Sequence, residues 1–358
     1  MVIENNNQLT NLNTWINEDI SSAISTREMG LYNLMSYHFG WTGKPGEDFI
    51  DSQTNGLHNL RRYGLACLVA ASSLDNTTEE GSAAVSAGSA IEMLATFAEI
   101  HDDIQAGRPV RNDRDAVWWV WGPAQAINAG DGLHALARLV ILNLTDKQVD
   151  SSLVFEATKV IDNAALAMCE GRFIELEAQE RIDITVEQYL DMAQAKSGSI
   201  MAGAMKLGAM LSKTDSLISN LIVDALSDDF AEFGRNIGVA MQIADDIKEL
   251  YGESSNTSAI NDRPSEEVLN KKKLLPIISA ISNADISNKR KLGEIYFKRV
   301  LTPDDVKDVR KLVSDLGGKD FAKQTLNDYV DNAFKSVSKI DFDQELLKSF
   351  SKILTKVD

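Results

Sequence analysis

Two stretches of this chain are apolar around most of a helical circumference, and each ends in a pair of aspartates. The first runs from about Ser82 to His101 and closes on Asp102 and Asp103; the second runs from Phe230 to Leu250 and carries Asp245 and Asp246 in its last turns. A helix apolar on nearly every side belongs inside a bundle of other helices. Adjacent carboxylates at its end are costly unless something neutralises them, because like charges in contact resist joint ionisation. A divalent cation does this. A few hard oxygen ligands, with water and substrate phosphate filling the remaining positions, match Mg2+. A lone Asp-Asp usually marks an ordinary solvated helix end, but two of them on the two most apolar helices point to a site. Asp245 and Glu249, four residues apart, share a helix face. Carboxylate clusters at the mouth of an apolar cavity would suit an apolar molecule with a diphosphate head.

The rest of the chain agrees with an all-α fold. Apolar residues recur at helical spacing almost throughout, and alternating β-branched runs are nearly absent. Six Pro and 22 Gly in 358 residues leave few breakers. The breaks predicted from Gly, Pro, Asn, Asp and Ser fall at Gly40 to Asn55, Asp75 to Gly81, Gly107 to Asp115, Thr145 to Asp150, Gly252 to Pro264, Thr302 to Asp305 and Gly317 to Lys319, delimiting ten or more helices. No repeat and no linker composition interrupts them, so a single domain over residues 1–358 is expected, although the length alone would allow two. Gly252 to Pro264 reads as a mobile loop, and the last hundred residues as peripheral amphipathic helices.

A net charge of -17 opposes binding to nucleic acid or an anionic membrane. Lys271 to Lys273 is a tight basic cluster, and three lysines are more often a solvated face than a phosphate site. Cys67 and Cys169 lie in apolar stretches without Cys-x-x-Cys spacing and read as buried free thiols of a reducing compartment. The N-terminal MVIENNNQLTNLNTW lacks the features of a secretory leader, and no uninterrupted apolar run approaches the ~18 residues of a membrane span. A cytoplasmic protein is expected.

The string HDDIQAGRPVRNDRDAVWWVWGPAQAINAGDGLHAL, from His101 to Leu136, resembles the first aspartate-rich region of bacterial trans-polyprenyl diphosphate synthases. GRFIEL (Gly171 to Leu176), YLDMAQAKSGSIM (Tyr189 to Met201) and FGRNIGVAMQIADDIKELYG (Phe233 to Gly252) resemble, in order, that family's Gly-Gln-x-x-Asp-Leu, Lys-Thr/Ser and second aspartate-rich segments. The resemblance covers nearly the whole chain. It implies the isoprenoid synthase helical bundle around a central apolar cavity, three Mg2+ ions, an allylic prenyl diphosphate substrate and a homodimer. Carried over residue by residue, it implies Mg2+ ligation by Asp102 and Asp103 from one side and Asp245 from the other, with Asp246 and Glu249 supporting. It implies diphosphate binding by Arg111, Lys196, Gln242 and Lys272 or Lys273. Arg263, beside Pro264 at the place of a family Gly-Lys-Pro loop, would close over the diphosphate. These groups would draw the diphosphate away as a stabilised leaving group and leave an allylic cation in a dry pocket.

Departures from the family pattern fall on one subsite. Where the family binds isopentenyl diphosphate with a Gly-Lys-Arg-x-Arg-Pro motif, this chain reads GLHNLRRYG from Gly56 to Gly64. A family His or Gln falls at Ala95, the second member of an Arg pair becomes Asn112, and the first Asp-Asp-x-x-Asp ends in Ala106. Each charge-assisted contact is worth about 1.5–3 kcal/mol, so losing three would disable that subsite. The pattern therefore points to a class I terpene synthase acting on a C15 or C20 allylic diphosphate without isopentenyl diphosphate. The alternatives are a chain-elongating prenyltransferase with a site rebuilt from Arg61, Arg62 and His58, and a non-catalytic partner subunit.

Other candidates compete with plain packing roles. Phe97 and Ala98, a turn before Asp102, sit where family members limit pocket depth. Trp118, Trp119 and Trp121 could offer π faces to a cation, though core packing is the commoner use of such a run. Arg172 and Glu175 replace the family Gln and Asp; Arg172 would sense the departing diphosphate or form a helix-surface ion pair. His101 and His134 read as hydrogen-bonded structural residues.

Overall fold

The computed structural model describes residues 2–46, 60–74, 78–179, 181, 183–212, 220–252, 265–340, 342 and 344–357. Gly56 to Asn59, with His58, and the Gly252 to Pro264 stretch from residue 253 on, with Arg263, lie outside them. Among the described residues the regular structure is helical apart from one hairpin of two two-residue strands. In order come α1 (Val2–Ser25), α2 (Gly30–His38), α3 (Arg62–Leu74), α4 (Ala83–Gln105), β1 (Val110–Arg111), β2 (Arg114–Asp115), α5 (Val117–Trp121), α6 (Pro123–Leu142), α7 (Ser151–Gln179), α8 (Val186–Ala193), α9 (Ser199–Met210) and α10 (Asn220–Tyr251). There follow α11 (Glu266–Leu269), α12 (Leu275–Asn283), α13 (Ile286–Tyr296), α14 (Pro303–Asp315), α15 (Gly318–Ser336) and α16 (Glu345–Thr355). A π-helical turn, Gln194–Gly198, joins α8 to α9.

The chain divides into two compact units. The first comprises Met1–Ala165, Ile200–Gly234 and Ile340–Phe350; the second comprises Leu166–Ser199, Arg235–Lys339 and Ser351–Asp358. In the first unit α4 is the core helix, packed on α6, α3 and α1. Every residue from Ala84 to Thr96 is buried, as its all-round apolar sequence requires. It is the one helix among the described residues long and apolar enough to cross a membrane, and 78% of its apolar window is buried inside the protein. The crossing of α3 and α4 is close enough to need glycine on both sides. A Cβ on Gly64 would stand 2.9 Å from the Gly88 carbonyl, and one on Gly88 would stand 2.9 Å from the Gly64 carbonyl. Glu92, on α4, reaches the exposed N–H groups at the start of α3, accepting from Tyr63 N at 2.9 Å and Gly64 N at 3.0 Å.

In the second unit, Tyr189, Ile243, Ile247, Leu275, Ile278 and Leu326 form one apolar core around α8, α10, α12 and α15. Leu250, Val268, Ile277, Leu292, Val306 and Val313 form another that holds α11 to α14. Thr302 starts α14 with a reciprocal capping box to Asp305 and a proline in the first turn.

One sequence expectation fails here for a simple reason. Cys67 is buried, but Cys169 is exposed. It lies on α7 between Leu166 and Phe173, which are themselves 60% and 63% exposed. An outward apolar stripe looks in sequence like an inward one.

Candidate functional site

Asp102 and Asp103 end α4, and the chain then turns through β1 and β2 so that two arginines come back to them. Arg111 Nε lies 3.0 Å from both oxygens of Asp103, Arg111 Nη2 lies 2.9 Å from Oδ1, and Arg108 Nη1 lies 3.2 Å from it. Asp103 is 1% exposed and Asp102 is half-buried. Glu99, one turn earlier, has Arg111 Nη1 at 3.9 Å and His38 Nε2 at 3.6 Å. Arg111 and Arg108 thus stand as counter-charges to the buried aspartate. Arg111, read from sequence as a diphosphate ligand, is bound to Asp103 here.

The hairpin that carries Arg111 is locally determined. Arg111 pairs with Arg114 across a two-residue turn whose central residues, Asn112 and Asp113, have φ of 50° and 59°. That turn demands left-handed backbone, which Asn and Asp accept more readily than Arg. Asn112 thus has a conformational reason for its identity. Tyr37 Oη donates to the Asp115 carbonyl at 2.8 Å, and Lys44 pairs with the Asp115 carboxylate at 2.7 Å, which ties the hairpin to α2 and the residues after it. Trp118 Nε1 donates to the Arg108 carbonyl at 2.6 Å, so its polar edge fixes the loop that brings Arg108 to Asp103. Trp119 is 59% exposed, against the expectation of core packing for this run, and Trp121 sets its ring edge-on to Tyr37 at 4.8 Å. Phe97 packs against His101 and His134, with ring centroids 5.0 and 5.3 Å away, on the α6 side of α4. Ala98 beside it is half-buried. His101 Nε2 lies 3.3 Å from the Ile127 carbonyl.

Arg61 is enclosed. Its Nε donates to Asn17 Oδ1 at 2.8 Å and its Nη2 to the Phe39 carbonyl at 2.7 Å, while the guanidinium lies over the Phe39 ring at 4.8 Å. The side chain, which the sequence reading offered for a rebuilt isopentenyl diphosphate subsite, is 7% exposed and held by these contacts.

In the second unit Asp245 is half-buried and Asp246 is 2% exposed. Asp246 accepts from Tyr189 Oη at 2.6 Å, Leu275 N at 2.9 Å and Gln242 Nε2 at 3.2 Å. Burial pushes its carboxyl up to about 6, opposed by Lys272 and by these hydrogen bonds. Gln242 completes a chain by accepting from Ser197 Oγ at 2.6 Å. Gln242 and Asp246, read from sequence as a diphosphate ligand and a metal support, here brace α8, the π-helical turn, α10 and the start of α12. Glu249 is also engaged, accepting from Ser265 Oγ at 2.8 Å and Glu267 N at 3.3 Å at the start of α11. Among the described residues no three His, Cys, Asp or Glu side chains gather as a metal cluster. Asp102 and Asp245 remain hard oxygen donors of the kind Mg2+ takes one or two at a time, alongside water and substrate phosphate.

The cations of this unit meet at Glu175. Lys196, from the π-helical turn, lies 2.6 Å from Oε2; Arg172 lies 2.5 Å from the same oxygen; Lys272 lies 3.4 Å from Oε1 and 2.9 Å from Glu267. A single-turn π-bulge often marks a functional position, and this one aims Lys196 at Glu175 and its neighbour Ser197 at Gln242. Gly171 permits it, since a Cβ there would stand 2.5 Å from Lys196 N. Burial would raise the Glu175 carboxyl, but Lys196, Lys272 and Arg172 hold it well below the usual range. The structure also separates Lys272 from Lys273. Lys271 takes φ of 60°, and Lys273 turns inward, donating to the carbonyls of Gln179 and Lys271 at 2.8 and 2.9 Å over the Tyr296 ring. Sequence reasoning missed Tyr189, Ser197 and Arg108 as members of these networks, although all three stood inside quoted motifs.

Comparison with known proteins supports the family resemblance. The polyprenyl synthetase family profile matches residues 56–314. A geranylgeranyl diphosphate synthase of Mycobacterium tuberculosis is 26% identical over 317 residues, covering 88% of this chain and 83% of that protein. A short chain isoprenyl diphosphate synthase of Methanothermobacter thermautotrophicus is 31% identical over 212 residues, 59% of this chain and 61% of that one. Among solved structures, a polyprenyl synthetase from Streptomyces coelicolor superposes with a TM-score of 0.80 at 22% identity, covering 99% of this chain and 98% of that one. The geranylgeranyl pyrophosphate synthetase of Pyrococcus horikoshii gives 0.79 at 21%, with 99% of each covered. The fold is the isoprenoid synthase helical bundle. These relatives are prenyl diphosphate synthases, which favours the chain-elongating alternative over the terpene synthase that the sequence departures suggested. The chain belongs to the polyprenyl synthetase family and is an enzyme of that class.

Proposed function

We propose that this chain is a Mg2+-dependent prenyltransferase, a single isoprenoid synthase domain over residues 1–358, that ionises an allylic prenyl diphosphate and couples the cation to isopentenyl diphosphate. The observation that carries the reading is the convergence of Lys196, Lys272 and Arg172 at one point, on the segments that correspond to the family's diphosphate-binding motifs. Lys196 and Lys272 bind the leaving diphosphate and stabilise its developing charge. Mg2+, when bound, neutralises that charge as a Lewis acid. Its proposed ligands are Asp102 and Asp245, with Asp103 acting through Arg111 and Arg108, and Asp246 and Glu249 through the networks that orient the end of α10. Three ions are expected. A homodimer is proposed as well, supported by the outward apolar residues Leu139 and Leu142 of α6 and Phe155 of α7.

A second reading, the terpene synthase, is favoured by one observation. Arg61 is sealed against Asn17 and Phe39, while Ala95 and Asn112 stand where the family has polar or cationic contacts to isopentenyl diphosphate. One experiment separates the two: Mg2+ with C10, C15 or C20 allylic diphosphate, with and without isopentenyl diphosphate, products read by mass spectrometry. Longer diphosphates formed only with isopentenyl diphosphate support elongation; cyclic hydrocarbons or alcohols formed without it support the second reading; no product points to the partner subunit. In either active case Asp102→Ala and Asp245→Ala each lower turnover by at least about 10²-fold.

A further inference from the structure

The cation cluster of the second unit has an unusual order of layers. The carboxylate of Glu175 lies deepest, 3% exposed, while Arg172, Lys272 and Lys196 lie outside it at 12%, 14% and 16%. An anion arriving from solvent meets the three cations before it meets the acid. Those cations already hold an oxyanion, because a carboxylate offers Lys and Arg the same charge-assisted contacts that a phosphate oxygen does. Lys272 also faces Glu267 and Asp246. Glu175 is not held as a fully satisfied anchor. Its Oε1 accepts no hydrogen bond among the described groups, and Lys272 stands 3.4 Å from it.

We propose that Glu175 is a resident counter-ion that competes with the substrate's diphosphate for Lys196, Lys272 and Arg172, so that a polyanion binds there and a single phosphate does not. The proposal rests on the diphosphate reading of Lys196 and Lys272 given above. It makes Glu175 a specificity residue: a ligand must carry enough charge to draw the cations off a carboxylate that they already hold. The Arg172 and Glu175 pair then works as a unit, one adding a cation to the site and the other setting the threshold for its release.

The test is titration calorimetry of the full chain in Mg2+ buffer with inorganic pyrophosphate and, separately, inorganic phosphate. Glu175→Gln is expected to bind pyrophosphate about tenfold more tightly than wild type and to gain measurable phosphate binding. Because loss of the acid alone leaves buried cations unpaired, the same comparison is made between Arg172→Gln and the double variant Arg172→Gln with Glu175→Gln, where one cation leaves with it. Unchanged or weaker pyrophosphate binding on removing Glu175 in both backgrounds overturns the proposal and makes Glu175 a positioning residue for the lysines. Lys196→Ala and Lys272→Ala tell that failure from a deeper one. If both bind pyrophosphate as wild type does, the diphosphate reading itself falls; if they bind it weakly while Glu175→Gln shows no gain, only the counter-ion does.

Discussion

The end of α4 and the end of α10 carry the same dipeptide, and in both its second aspartate is buried while the first is half-buried. What answers the buried charge differs. Asp103 is gripped by two guanidinium groups from the hairpin that follows it, whereas Asp246 is surrounded by a phenol, a side-chain amide and a backbone N–H. One is a direct ion pair network and the other a web of neutral hydrogen-bond donors with Lys272 nearby, in which burial pushes the carboxyl up to about 6. Identical sequence signals can thus be solved by different means, and the solution is dictated by residues outside the motif.

The sharpest way to break this comparison is to neutralise each buried acid by the same change. Asp103→Asn leaves Arg108 and Arg111 without their anion and is expected to cost about 3 kcal/mol, a value set toward the low end because both arginines remain about one-fifth exposed. Asp246→Asn keeps an oxygen for Tyr189 and Leu275, and a flip of the Gln242 amide restores the remaining contact, so the expected cost is below about 1 kcal/mol. Urea unfolding of the two variants measures both, and equal losses would erase the distinction.

A second test moves the neutral-donor case onto α4 itself. Glu92 is met by the backbone N–H groups of Tyr63 and Gly64, and burial pushes its carboxyl up to about 7, opposed by Arg61. A raised carboxyl means that the folded state holds a proton that the unfolded chain has released. Its contribution is therefore complete below about pH 4.5 and is lost as pH rises through about 7, a change of about 3 kcal/mol. Glu92→Gln should remove that slope from the pH dependence of stability while keeping the cap on α3. A slope unchanged between pH 5 and 8, within about one unit of pH at either end, would assign it to another group.

The smallest expected effect probes how the arginines reach Asp103. Trp118→Phe deletes the indole N–H that holds the Arg108 carbonyl and keeps most of the ring, for an expected loss of about 1 kcal/mol by thermal or urea unfolding. Combined with Asp103→Asn, the loss should be less than additive, since both act on the same loop.

Much of the fold was legible in the sequence because it follows from local pattern. α4 and α10 declare themselves by apolar residues on every side, and the breaks at Gly107 to Asp115, Thr302 to Asp305 and Gly317 to Lys319 each coincide with a helix boundary. The aspartate motifs and the Lys196 segment were legible as a set of chemistries. What stayed hidden depends on partners remote in sequence or on backbone handedness. Nothing near Asp246 announces Tyr189, fifty-seven positions away. Lys272 and Lys273 are equivalent in one dimension, and the left-handed residue Lys271 divides them. Cys169 was misread because a one-dimensional pattern gives the width of an apolar stripe and not the direction it faces. Asn112 read as a lost arginine, although its turn selects for it.

The paired glycines at the crossing of α3 and α4 also limit the order in which this chain can change. Each glycine's missing side chain is the space occupied by the other's carbonyl, and Ile16 of α1 closes the same gap from a third direction. A first substitution at Gly64 or Gly88 meets main chain, which no alternative side-chain conformer moves aside, so a later compensating change at Ile16 cannot repair it. The route from this sequence to one with ordinary residues at that crossing passes through helices set farther apart, which would take the Glu92 oxygen away from the N–H groups it caps. Drift at these positions is therefore closed from both ends, and the helix that ends in Asp102 keeps its place by geometry that single steps cannot leave.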